Sequence, residues 1–169
     1  MTTPTQPLLH TLLDTWERNN TILLNVLRAL PEGALDARAL PGSPTIAAQF
    51  THIRDVRLYW VSQAASEFAP DLPELFRQES EHWTAERDRD RVAAFLQDSA
   101  RAVRDAVRSR VEAGAGMDAA YDHPVLLLQH MLWHEGYHVG QMMLALKATG
   151  RPMMEEEAEP AMWSVWRRE

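Results

Sequence analysis

Apolar residues recur at helical spacing in four separate segments of this 169-residue chain, each closed by proline or glycine, and no stretch alternates with period two. In the first, Leu9, Leu12, Leu13, Trp16, Leu23, Leu27 and Leu30 share one face of a helix running from about residue 8 to 30, which Pro31 and Gly33 stop. The second is expected to start with Ser43 as N-cap and Pro44 at the first helical position, and its stripe is Ile46, Phe50, Ile53, Trp60 and Ala64. Val92, Phe95, Leu96, Ser99, Val103, Ala106, Val107 and Val111 mark the third, which ends near Gly114 and Gly116 with its arginines and aspartates on a solvated face. The fourth opens with Asp122 as candidate cap and Pro124 just inside the start, and runs to Thr149 before Gly150 and Pro152. Four such helices in a chain of this length predict one all-α domain over 1–169, a four-helix bundle. The longest connection, APDLPELFRQESEHWTAERDRD, lies between helices 2 and 3, carries a short helix around Glu74 to Gln78, and is long enough for a crossover. The tail after Gly150 begins acidic and ends with Trp163 and Trp166 three residues apart, which predicts a short helix or turn packing its aromatics on the body.

Charge and composition remove several functions. The formal charge of -7 opposes binding a polyanion, because nucleic-acid affinity rests on lysine and arginine displacing counterions. No stretch reads as a membrane span, and the first twenty residues lack the basic start and apolar run of a signal peptide, so a cytoplasmic protein is expected. The chain has no cysteine. Metal ligands must then be histidine or carboxylate, and any thiol chemistry needs a thiol from outside.

HEGYH, from His134 to His138, has the form H-E-x-x-H of zinc proteases. Histidines at i and i+4 stand about 40° apart around a helix and roughly 6 Å apart along it, so both imidazoles can meet one ion. A metzincin would need glycine at 141 and histidine at 144, where Gln141 and Leu144 stand. The other protease form takes a later glutamate, for which Glu155, Glu156, Glu157 and Glu159 are near enough, although a solvated acidic run also describes them. The competing third ligand is His52 on the second helix, between facing helices of the bundle. Glu135 points about 100° away from His134 and is a candidate for the general base or for a group behind the ligands. Gln49 and Gln141 lie one turn from candidate ligands and could hold ring nitrogens; His130, one turn before His134, could be a fourth ligand, a supporting group or a packed core histidine. His10, His82 and His123 read as surface or capping residues, and the methionines at 142, 143, 153 and 154 as packing.

HEGYHVGQ at 134–141, followed by an apolar helix and ATGRP, resembles the closing signature of the DinB/YfiT-like family of helical metalloproteins. SPTIAAQFTHIRDVRLYW at 43–60 is similar to that family's second-helix signature. The resemblance spans most of the chain. It implies an up-down-down-up bundle, His52, His134 and His138 as ligands of one divalent metal ion, and a homodimer. Many members carry a basic residue after the last ligand, where this chain has Val139, so no anionic-substrate contact carries over at that position.

Three neutral imidazoles leave a coordination position open, the layout of catalytic zinc sites, although nickel and iron accept the same donors; zinc or nickel is the expectation. The resemblance implies a metal-dependent S-transferase using a low-molecular-weight thiol such as bacillithiol and a small electrophile. The alternatives are a non-enzymatic metal-binding stress-response protein and a zincin-like hydrolase.

Overall fold

The computed structural model describes residues 5–69, 77–79 and 82–167. Four long helices carry the fold: α1 (Thr5–Ala29), α2 (Ile46–Ala64), α3 (Arg89–Glu112) and α4 (Pro124–Ala148), with a short α5 (Glu155–Ala158) in the tail. Among the described residues no helix is long and apolar enough to cross a membrane.

The core has two halves, and their membership gives the helix directions. One half joins Ile22–Leu27 of α1 with Leu30 just past its end, Ile46–Ile53 of α2, Val92 and Leu96 of α3, and Met142–Leu146 of α4. The other joins Leu9–Trp16, Val61 and Ala65, Ala100–Val107, and Leu127–Met131. The end of α1 therefore lies with the starts of α2 and α3 and the end of α4: the order is up-down-down-up. Because α2 and α3 point the same way, the chain between them must travel the length of the bundle, which explains why this connection is the longest. Trp16 ties α1 to α3 by donating its indole N–H to the Ala100 carbonyl at 2.9 Å.

Local signals place the boundaries, with three corrections. The N-cap of α2 is Thr45, not Ser43: Thr45 is extended and its hydroxyl accepts from the Ala48 N–H at 3.1 Å. Ser43 instead closes a turn on Leu40, accepting from its N–H and donating to its carbonyl, with Gly42 at φ 83°. The N-cap of α4 is His123, not Asp122, because the imidazole Nδ1 reaches the Val125 N–H at 3.2 Å, while Pro124 takes the first helical position as expected. At the other end Gly150, at φ 72°, turns the chain so that Arg151 N–H meets the Leu146 carbonyl.

The third correction concerns the expected helix around Glu74 to Gln78. Arg77–Glu79 pairs antiparallel with His82–Thr84, in the register Gln78 opposite Trp83, and residues 74–76 lie outside the described residues. Trp83 and Thr84 favour extended backbone, and three-residue strands are too short to display a period in the sequence. The tail does fold into a short helix, a wide turn over Glu159–Trp163 and a tight one over Ser164–Trp166. It packs through Ala161 and Met162, which are buried in the first half of the core, while Asn25 donates to the Ala161 carbonyl at 3.2 Å. Trp163 and Trp166, expected to pack on the body, border a groove on it with Ile22 and Leu132 while remaining 57% and 43% exposed.

Candidate metal centre

His52 on α2 faces His134 and His138 on α4 across the helix pair, and one ring nitrogen from each lies within 4.8 Å of the others. Ring centroids are 5.1 Å apart for His52 and His134, 4.9 Å for His52 and His138, and 4.6 Å for His134 and His138. The Nε2 atoms of His52 and His134 are 3.2 Å apart. Two nitrogens bound tetrahedrally to one ion at zinc-like bond lengths stand about 3.3 Å apart, so this pair already has the span of a chelate. Opposite directions of α2 and α4 put the three side chains at one level of the bundle, and the exposed edge of His52 opens the site to solvent.

The surroundings suit neutral donors. Burial first, and then the neighbouring His138, His52, His130 and Arg57, lower His134 to about 4. Burial and His52 lower His138 likewise to about 4. Both rings are therefore neutral at pH 7 and carry a lone pair. Gln49, itself buried, sets one of them: its Oε1 lies 3.3 Å from His138 Nδ1, so the ring donates there and keeps Nε2 free for a ligand bond. His134 Nδ1 is buried with no hydrogen-bond partner, so packing and the Nε2 contact with His52 orient that ring. The donor set fits a borderline divalent ion.

The other candidates are placed elsewhere. His130 stays out of the cluster, its ring 6.5 Å from that of His134, in an aromatic group with Trp60 and Tyr121. Tyr121 Oη is hydrogen-bonded to His130 Nδ1 at 2.8 Å, and burial pushes the phenol up to about 12, so it keeps its proton. Gln141 is half-buried, and no hydrogen bond joins it to the three histidines. Of the acidic tail, Glu155, Glu156 and Glu157 are exposed, Glu157 accepts from the Met154 N–H, and Glu159 pairs with Arg167. None of the four belongs to the cluster.

Glu135 is turned into the core. Its carboxylate takes a two-point contact from Arg57, Nε to Oε1 at 2.6 Å and Nη2 to Oε2 at 2.7 Å, and a third bond from Asn19 Nδ2 at 2.5 Å. Neither side chain of the pair has any solvent exposure. Glu135 thus supports no hydrolytic base at the histidines, and the protease likeness of HEGYH ends with its histidines. Arg57 is the residue sequence reasoning passed over, although a signal existed: at helical spacing it falls in the middle of the stripe formed by Ile46, Phe50, Ile53, Val61 and Ala64, where a cation needs a buried partner.

A concavity of about 580 Å³ lies elsewhere, between α1 and α3, lined by residues including His10, Asp14, Arg104 and Arg108. Arg104 is occupied there by Glu17 and Asp105, and the cleft holds no ligand cluster. No curated protein and no solved structure matches the chain. The model of the DinB family matches residues 1–164, and with the bundle and the three histidines in place the chain belongs to the DinB family.

Proposed function

We propose that the protein binds one divalent ion, zinc or nickel, through His52, His134 and His138, and works as a metal-dependent S-transferase. The observation that carries the metal reading is the convergence of three imidazoles from two helices with no carboxylate among them. An ion held there would keep a small thiol in its thiolate form, ready to attack an electrophile. The chain itself has no cysteine, so the thiol is a cosubstrate of the bacillithiol type. His52, exposed at the rim, leaves the approach open, and Gln49 holds His138 in orientation. Trp60, Tyr121 and His130 form an aromatic wall one turn from His134 that suits the apolar part of an electrophile. A thiolate needs no general base, which agrees with the engagement of Glu135 in the core.

The test has two parts. Purified protein should hold one divalent ion per chain, and His52→Ala or His138→Ala should lose it; full retention in His52→Ala overturns the site. Metal-loaded protein should then consume a small thiol in the presence of a generic electrophile, with activity lost on chelation. Failure across a panel of thiols by loaded protein would leave the non-enzymatic metal-binding reading in its place.

The homodimer is proposed on a separate observation. The outer face of α4 carries Leu126, Trp133, Tyr137 and Leu144, and Trp133 is 79% exposed. Beside it, Gly136 and Gly140 floor a groove of about 470 Å³ whose other wall is Trp163 and Trp166. Taking ~200 Å² for a fully exposed aromatic side chain, these six residues leave on the order of 600 Å² uncovered, near the ~800 Å² per partner of a standard interface. A second copy related by a two-fold axis would meet the same face with its own Trp133 opposite the groove.

A further inference from the structure

We propose that the buried Arg57–Glu135 pair is the positioning device of the histidine site, holding α2 and α4 in the register that brings His52 to His134 and His138. The proposal rests on the metal reading given above. Glu135 follows His134 directly, and Arg57 stands five residues after His52, about 7.5 Å along the helix. The pair therefore clamps the two helices within two turns of the ligands each one carries.

Its surroundings make the clamp directional. Arg57 Nη1 also donates to Asn20 Oδ1 at 3.0 Å, the Leu96 carbonyl at 2.9 Å and Ser99 Oγ at 3.3 Å, and its guanidinium lies over the Trp16 ring at 4.7 Å. Asn19 and Asn20 come from α1, Leu96 and Ser99 from α3, so all four helices meet at this one group. A two-point contact between guanidinium and carboxylate has one good geometry, whereas apolar side chains tolerate sliding. Three imidazoles serve one ion only within narrow tolerances, and a slip of one helical residue between α2 and α4, about 1.5 Å, would break the chelate.

Stability alone does not account for the pair. Taking two charges out of water costs several kcal/mol per ion, and well-packed apolar residues of similar volume commonly serve a core as well or better. Nor is Glu135 poised for proton transfer, since Arg57 and Asn19 occupy both its oxygens.

The experiment compares wild type with Arg57→Met/Glu135→Leu, reading unfolding by urea and Co²⁺ binding by its visible absorption and by competition with a chelator. The apolar pair should leave the urea midpoint at or above that of wild type, while weakening Co²⁺ about ten-fold or more and altering the absorption bands. Equal stability with an unchanged affinity and spectrum overturns the proposal. If the double variant fails to fold, Arg57→Lys decides: it keeps the charge and loses the fork, and a folded Arg57→Lys protein with wild-type affinity also overturns it. Absence of Co²⁺ binding by wild type is distinguishable from both, since the metal reading then falls and the positioning role with it.

Discussion

His134 and Glu135 are adjacent in the chain and occupy opposite environments. The imidazole faces two other imidazoles near solvent, and the carboxylate is sealed against a guanidinium. The 100° step between consecutive helical positions makes this division, and it was visible as an angle from the sequence. What lay at the end of each direction was not. The burial of His134 and His138 has a measurable consequence. Both are lowered to about 4, against about 6.5 in an unfolded chain, so between those values the unfolded state binds more protons than the folded one. Their contribution to stability is present above pH 6.5 and is lost as pH falls toward 4. Metal-free protein should therefore show a urea midpoint that drops across this window, and His134→Gln/His138→Gln should flatten the drop. An equal drop in the double variant would assign it to other groups.

At the scale of elements, period and punctuation located all four long helices, because each must bury one face, and α1, α3 and α4 end within two residues of a proline or glycine, whereas α2 stops at Ala64 without either. The errors lie at the caps. Ser43 and Thr45 are both competent caps two residues apart, and backbone geometry chooses between them; at α4 it sets His123, an uncommon cap, in place of the neighbouring Asp122. Thr45→Ala should accordingly cost about 1 kcal/mol by urea unfolding, and Ser43→Ala less, since Ser43 bonds only within its own turn. A larger effect at Ser43 would restore it as the cap. The short ribbon over Arg77–Glu79 and His82–Thr84 left no readable period because a strand of three residues has none.

At the scale of the molecule, the exposed face of α4 stands out: it carries Leu126, Trp133, Tyr137 and Leu144, whereas α1 and α3 turn charged faces to water. A second copy is the proposed cover of that face. Sedimentation should report a dimer at micromolar concentration, and Trp133→Glu should convert it to a folded monomer that retains its metal; a monomeric wild type would reject the second copy as occupant. The up-down-down-up order was implied by likeness of motif and is now visible in which ends of the helices share a core. The sequence by itself determined the helix count, the long connection, the absence of any thiol and the i, i+4 histidine pair, all of which are local or compositional. Only the tertiary structure decided that His52 completes the cluster, that Gln49 rather than Gln141 orients a ring, and that Glu135 belongs to Arg57. Those partners lie some eighty residues apart in the chain, and no local period carries the relative register of two helices; packing and the charge pair between them set it.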